Sequence, residues 1–137
     1  MADNVVKLRG GDSEKITINL GHVDLGRIDL LVQEGFYSNR TDFIRSAIRS
    51  QLGLHAPEIA RSIERHTLEL GLRDYSAADL EAVRRAGETL HVKVVGLARI
   101  AADVTPELAR ATIASLTVIG ALQASPEVKR ALADRIS

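Results

Sequence analysis

The sequence contains no cysteine and no tryptophan, and only 3% of its residues are aromatic. The absence of cysteine excludes disulfide bonds, thiolate nucleophiles and thiolate metal sites, and it fits a reducing compartment. With so few aromatic rings, any hydrophobic core has to be aliphatic. Apolar residues make up 45% and charged residues 26% of the 137 residues, which is typical of a globular rather than a disordered chain.

Long apolar runs and an excess of charge are also missing. No stretch approaches about 18 uninterrupted apolar residues, and the beginning of the chain lacks the apolar segment of a signal peptide. We therefore expect an intracellular, cytoplasmic protein that makes no membrane contact. Positive and negative side chains balance at 18 each. A nucleic acid ligand would therefore have to be held by a few well-placed cations and backbone dipoles.

The spacings that enzymes and metal proteins need are absent too. The four histidines, at positions 22, 55, 66 and 91, are scattered without the i, i+4 pair or the carboxylate spacing of a metal site. No glycine-rich phosphate loop, nucleophile elbow or metalloprotease motif is present. We expect no enzymatic activity, no bound metal and no cofactor.

The segment EKITINL, Glu14–Leu20, alternates strictly between polar and apolar side chains. This pattern predicts a half-buried β-strand. Its apolar side carries Ile16, Ile18 and Leu20, and its polar side carries Lys15, Thr17 and Asn19. No comparable strand lies within hairpin reach, so the backbone groups need a partner from elsewhere. A second copy of the same strand, paired antiparallel across a two-fold axis, would satisfy them.

Two helices are expected directly after this strand. Apolar residues recur with a helical period up to Val32, and Gly35 fits the left-handed position that ends a helix. Asn39 is a good N-cap for a second helix that runs to about Leu52, and Asp42 stands three residues later, as in a capping box. A piece of about 40 residues has too little core to stand alone, which again favours a dimer.

These segments, KITINL followed by GRIDLLVQEGFYSNRTDFIRSAIRSQL, resemble the ribbon-helix-helix DNA-binding proteins of the Arc/MetJ/CopG type. The resemblance covers Lys15 to Leu52 and is most specific from Gly35 to Arg45. Gly21 stands where the family usually has proline. The resemblance implies a homodimer whose paired strands lie in the major groove of double-stranded DNA, in a cytoplasmic, nucleoid-associated transcriptional regulator.

The resemblance also implies roles for individual side chains. The polar strand residues would contact base edges, and the N-terminus of the second helix would bind phosphate. The base-contacting residues are Lys15, Thr17 and Asn19. The phosphate-contacting residues are Ser38, Asn39, Arg40 and Thr41. Further contacts are expected from Lys7 and Arg9, in the arm that precedes the strand.

The second half of the chain predicts more helix and then a strand–helix repeat. The helical face expected first is Ile59, Ile63, Thr67 and Leu70, with a stop at Gly71. Ser76 and Asp79 form a capping box for another helix. The segment Val92–Gly96 then aligns with Leu116–Gly120 at an offset of 24 residues (120 − 96), and TPEL and SPEV predict two later helix starts.

Two such units are fewer than the three or so that usually bury a continuous core. We therefore expect their strands to meet the helices from Pro57 onward, or the same strands of another subunit.

The expected fold class is α+β and mostly helical. An N-terminal arm at 1–13 would precede a ribbon-helix-helix domain at 14–54 that forms an intertwined dimer. A helical linker and a small strand–helix repeat module would occupy 55–137, with residues 90–137 assembling a tetramer or larger oligomer or binding a partner. The leading hypothesis is a sequence-specific transcriptional regulator. The alternatives are the antitoxin of a toxin–antitoxin pair, against which the apolar, capped tail argues, and an oligomeric scaffold without DNA binding, which the neutral charge favours.

Overall fold

The computed structural model describes residues 13–137, which divide into two compact parts, Ser13–Ser62 and Ile63–Ser137. The helices are α1 (His22–Gln33), α2 (Arg40–Leu54), α3 (Ala56–His66), α4 (Ala77–Arg85), α5 (Pro106–Thr112) and α6 (Pro126–Ala131). The strands are β1 (Glu69–Tyr75), β2 (Leu90–Ile100) and β3 (Ile113–Gln123), and a 3₁₀ turn covers Ala133–Arg135. About half of the chain is helical, so the fold is mixed α/β rather than mostly helical. No helix in this described range is long and apolar enough to cross a bilayer.

In the first part, α1 ends at the predicted glycine. Gly35 has a φ of 89°, and its N–H donates to the carbonyl of Val32 at 3.1 Å. The N–H of Phe36 donates to the carbonyl of Leu31 at 2.9 Å. This pair of hydrogen bonds is the Schellman arrangement, in which a left-handed glycine lets the chain turn back over the last helical carbonyls. The predicted helix stop is confirmed.

The start of α2 is capped as predicted by Asn39, whose Oδ1 accepts the N–H of Asp42 at 2.8 Å. The second half of the expected capping box is different. The carboxylate of Asp42 accepts the N–H of Ser38 at 2.9 Å, not that of Asn39. Asp42 therefore binds the backbone N–H of Ser38, the residue before the N-cap, and not the N–H of the N-cap residue itself.

The second part is built on a three-stranded parallel sheet in the order β1–β2–β3. Val92 pairs with Leu116 and Gly96 with Gly120, so residues that the offset of 24 makes equivalent are register partners. The expectation of two strands was wrong, because a third strand, β1, pairs with β2 and precedes the two that were predicted.

The predicted helix through Leu70 was also wrong, because α3 ends at His66 and β1 begins at Glu69. Thr67 has a φ of 55°, in the left-handed region, and the N–H of Leu68 returns to the carbonyl of Ile63 at 2.9 Å. Gly71 therefore does not stop a helix, and it lies in mid-strand opposite Gly96.

Three glycines form a column across the sheet. Gly71, Gly96 and Gly120 are register partners with φ values of 130°, 137° and 128°. A Cβ atom on Gly96 would collide with the carbonyl oxygen of Gly71, and one on Gly120 with the carbonyl oxygen of Gly96. Glycine is required at positions 96 and 120 by both conformation and space.

The aliphatic core lies between one face of the sheet and the helices α4, α5 and α6. Val94, Ala98, Leu80, Leu108 and Val128 are at most 4% exposed. All three helices are capped by a hydroxyl side chain. The capping pairs, written as acceptor side chain and donor N–H, are Ser76 with Asp79, Thr105 with Leu108, and Ser125 with Val128. Each cap confirms a helix start predicted from the sequence.

The outer edge of β3 is partly covered by the residues that follow α6. Ile136 forms a parallel bridge with Leu116, and the N–H of Ser137 donates to the carbonyl of Leu116 at 2.9 Å. A terminal guanidinium nitrogen of Arg135 donates to the carbonyl of Ile113 at 2.8 Å. These contacts satisfy backbone acceptors on an edge that would otherwise be open.

Candidate nucleic-acid interface

The first part of the chain carries an open apolar groove of about 420 Å³. Its lining comes from the segment before α1 and from the facing sides of α1 and α2. The lining residues are Ile18, Leu20, Asp24, Arg27, Ile28, Leu31, Phe43, Ile44, Ala47 and Ile48. Within residues 13–62, Ile28 is the one side chain that is buried. A unit with one buried side chain has no core of its own.

The segment Glu14–Leu20 has neither helical structure nor a strand partner within the described residues. Ile18 and Leu20 lie against the groove, but Ile18 is still 59% exposed. The polar residues of the segment do not line the groove and are all exposed. These are Lys15, Thr17 and Asn19, the residues predicted to contact bases.

The residues predicted to contact phosphate meet at the N-terminus of α2, but their donors are unequally available. The side chain of Asn39 is bound to the N–H of Asp42, and the N–H of Ser38 is bound to the carboxylate of Asp42. The N–H groups of Arg40 and Thr41 are in the first turn, where no intrahelical acceptor exists. The donors that remain for an anion are these two N–H groups, supported by the helix dipole.

The guanidinium of Arg40 is engaged by a carboxylate on the neighbouring helix. Its Nε and one terminal nitrogen each donate to an oxygen of Asp29 at 2.8 Å. These hydrogen bonds lower the pKa of Asp29 and raise that of Arg40. The bidentate pair joins α1 to α2. The carboxylate of Asp29 also places a negative charge beside the predicted phosphate position. The observed contact of Arg40 is therefore one that positions α1 against α2.

Three other cations of this part have no carboxylate partner among the described residues. Among the described residues 13–62, Lys15, Arg45 and Arg49 form no ion pair, whereas Arg27 and Arg61 pair with acids on their own helices. Arg45 and Arg49 are exposed and one helical turn apart on α2. Lys7 and Arg9, the predicted arm contacts, lie outside the described residues.

Two contacts in this region were not expected from the sequence. Asp29 holds Arg40 across the turn, and the rings of Tyr37 and Phe43 meet edge to face with centroids 5.0 Å apart. Neither follows from helical periodicity, because both pairs join residues on opposite sides of a helix boundary. The one available signal was that three of the chain's four aromatic rings, Phe36, Tyr37 and Phe43, lie within eight residues.

No group of three or more His, Asp or Glu side chains in the described part is arranged to hold a metal ion. The chain matches no curated protein and no solved structure with which it was compared. The sequence profile of the Ribbon-Helix-Helix transcriptional regulator family matches residues 11–129. The chain belongs to this family. Membership assigns it to transcriptional regulators that bind DNA. The family resemblance that was based on Lys15–Leu52 is confirmed.

The match extends well beyond the segments that carry the resemblance. It includes all three strands of the parallel sheet and reaches into α6. The second part of the chain, Ile63–Ser137, is called the strand–helix part below. Most of it is included in the sequence pattern of the family.

Proposed function

We propose that this chain is a sequence-specific transcriptional regulator that acts as a homodimer in the cytoplasm, on the nucleoid. Two copies of Glu14–Leu20 pair antiparallel, and their polar faces enter the major groove of the operator. The observation that carries this proposal is the open apolar groove beside Ile18 and Leu20, in a part of the chain where Ile28 alone is buried.

Pairing of the two Glu14–Leu20 segments into a two-stranded ribbon supplies both a strand partner and a core. It gives a ladder partner to a segment that has none among residues 13–137. It also brings a second set of apolar side chains onto the groove, where Ile18 and Ile48 are 59% and 47% exposed. Hydrophobic burial across the two-fold axis then supplies the core that one copy lacks.

The polar face of the paired ribbon reads the bases. Lys15 donates to guanine O6 and N7, Asn19 makes a bidentate contact with adenine, and Thr17 contacts a thymine methyl or a hydrogen-bond partner. Phosphate is bound by the free N–H groups of Arg40 and Thr41, at the positive end of α2. Arg45 and Arg49, which have no acidic partner in the described part of the chain, supply exposed positive charge that the neutral composition otherwise lacks.

The strand–helix part serves assembly. Leu70 on the edge strand β1 is 68% exposed, and Ile119 on β3 is 57% exposed. Both lie on the face of the sheet that the core helices do not cover. Exposed apolar side chains on a folded module are typical of contact surfaces. Association through this part would join the two copies of one ribbon dimer a second time and would strengthen the dimer by effective concentration.

The experiment measures binding to genomic fragments, the chain's own promoter among them, by fluorescence anisotropy across a range of salt. Lys15→Ala and Asn19→Ala should each cost about 1–3 kcal/mol on the preferred site and should relax its discrimination from other sites. Lys129→Ala, an exposed lysine on α6, is the matched control and should leave affinity unchanged.

Two outcomes would contradict the proposal. If no fragment is bound at low salt, the ribbon serves dimerisation alone, as in the scaffold alternative. If Lys15→Ala and Lys129→Ala weaken binding equally, the ribbon does not read bases. Sedimentation of Ile18→Lys tests the dimer separately, because a charge in the groove should leave monomers at concentrations where the parent chain is dimeric.

A further inference from the structure

One edge of the parallel sheet has no partner among residues 13–137. β1 pairs with β2 on one side, and no described segment pairs with its other side. All residues from Glu69 to Asp74 are exposed. The opposite edge differs, because Ile136 and Ser137 cover the start of β3. An uncovered row of strand N–H and C=O groups is a template for another strand.

The sequence of this edge is complementary to itself when reversed. The five residues ELGLR, Glu69 to Arg73, place an acid, a leucine, a glycine, a leucine and a base around Gly71. If two copies pair antiparallel about Gly71, Glu69 of each copy faces Arg73 of the other, and Leu70 faces Leu72. A parallel, in-register pairing would instead set like charges against each other. We propose that the β1 strands of two copies of this chain pair antiparallel about a two-fold axis at Gly71.

The neighbouring strands support this pairing. Leu70 lies in one register row with Val95 and Ile119. Leu72, which is 46% exposed, continues a second row through Leu97 and Ala121. Across the two-fold axis, each row would meet the other row of the second copy, because Leu70 faces Leu72. Both apolar rows would then run through a six-stranded sheet, and the leucines at the edge would gain a cross-strand neighbour.

The charges fit the same arrangement. Glu69 and Arg73 form an ion pair within one chain at 3.5 Å, and both side chains are about half exposed. They lie on the face of the sheet opposite to the leucines, since their register partners, Val94 and Ala98, belong to the core. Cross-strand pairing offers each charge an opposite partner directly across the ladder.

The two edges of the sheet also determine what kind of assembly can form. Head-to-tail addition of β1 onto β3 would propagate into a filament. The bridge between Ile136 and Leu116 obstructs the start of the β3 edge that such an addition needs. A two-fold pair uses the β1 edge of both copies in one contact, so it closes and stops at two copies.

A seven-residue ladder is a small contact compared with the roughly 1,600 Å² of a standard protein interface. The β1 pairing therefore rests on the proposed function, because the ribbon dimer raises the effective concentration of the two strand–helix parts and so lets a small contact form. Charged residues on an edge strand can also serve to prevent pairing, and the experiment has to separate these two roles.

The absence of cysteine allows single nitroxide labels to be placed cleanly. In the full chain, labels on Leu72→Cys should lie within about 20 Å of each other, since diagonal neighbours in an antiparallel pair are close. Ala121→Cys is the matched control, two strands further from the axis in the same row. It should give a distance longer by about 20 Å, from two strand spacings in each copy.

Charge variants then test the direction of pairing. Arg73→Glu and Glu69→Arg should each lengthen the Leu72 distance, because like charges face each other across the axis. An equimolar mixture of the two variants, after subunit exchange, should restore the short distance in mixed pairs. The ion pair within each chain stays broken in this mixture, so recovery reports the contact between copies alone. Circular dichroism of each variant checks that the fold is retained.

A Leu72 distance as long as that of Ala121, or a mixture that shows no recovery, would overturn the pairing. A label on Thr17→Cys reports the ribbon independently. Short Thr17 and long Leu72 distances would remove the β1 contact and leave the proposed regulator intact. The reverse result would remove the ribbon dimer while retaining the pairing of β1.

Discussion

Arg40 on α2 and Asp29 on α1 form a two-point ion pair, with both nitrogen–oxygen distances at 2.8 Å. The planar guanidinium matches the two carboxylate oxygens, so the contact fixes orientation as well as distance. It lies beside the N-terminus of α2, where the operator phosphate is expected. A bound phosphate would therefore compete with Asp29 for the guanidinium of Arg40.

Asp29→Asn should increase the affinity for DNA of any sequence. The substitution removes a negative charge beside the phosphate position and releases the Arg40 guanidinium, so one additional cation becomes available. We expect the slope of log affinity against log salt to steepen by about one unit. The measurement is anisotropy at several salt concentrations. Asp24→Asn, on the same helix, is the control, and an equal change in both variants would contradict the role of Asp29.

Arg40→Gln should weaken DNA binding only slightly in the parent chain but reverse the gain in Asp29→Asn. The reason is that the guanidinium is neutralised by Asp29 while both are present. A double-mutant cycle on DNA affinity measures this coupling. If Arg40→Gln alone costs as much as in the Asp29→Asn background, Arg40 contacts phosphate directly in spite of the ion pair.

The ion pair also predicts a dependence of stability on pH. The hydrogen bonds from Arg40 hold the pKa of Asp29 below its ordinary value. The ion pair therefore contributes its full stability at any pH above the ordinary pKa of an aspartate. The contribution is lost as the pH falls through the lowered pKa, that is, below about pH 4. Thermal unfolding followed by circular dichroism from pH 7 to pH 2 should show a shallower acid decline for Asp29→Asn than for the parent. Identical profiles would contradict the prediction.

The glycine column predicts a graded response to alanine. Gly96→Ala and Gly120→Ala should destabilise the strand–helix part strongly, because each new methyl group would overlap a carbonyl oxygen of the preceding strand. Gly71→Ala is the matched control, since it shares the positive φ but has open space at the Cβ position. It should cost about 1–3 kcal/mol from backbone strain alone. Urea unfolding of the three variants provides the comparison, and equal losses would show that the steric overlap relaxes.

Much of the fold follows from local chemistry that the sequence displays. Gly35 ends α1 and Asn39 begins α2 because left-handed glycines and N-cap amides act on adjacent backbone groups. Thr105 and Ser125 mark their helices for the same reason. Such signals need no knowledge of the rest of the chain, and each was confirmed.

The strand β1 was missed because its tertiary neighbours determine it. Leu70 continues a helical spacing from Ile59 and Ile63, and a glycine follows it, as at a helix end. The competing signal was the distance from Gly71 to Gly96, which is 25 residues and nearly repeats the 24 from Gly96 to Gly120. Pairing with β2 decides the outcome, and this contact cannot be read from a local window.

The candidate site was predictable in its location but not in its electrostatics. Placing Arg40 at the N-terminus of α2 required only the cap at Asn39. The engagement of Arg40 by Asp29 depends on how the turn after Gly35 brings α1 back against α2, and this geometry has no sequence signature. The base-contacting role of Lys15 stays a prediction.

The column of Gly71, Gly96 and Gly120 restricts how this module can change in length during evolution. Loss or gain of a single residue inside a strand would shift a side chain onto a neighbouring carbonyl oxygen. Duplication of a complete unit of 24 or 25 residues would keep every glycine in line. Longer relatives are therefore expected to differ from this chain by whole units.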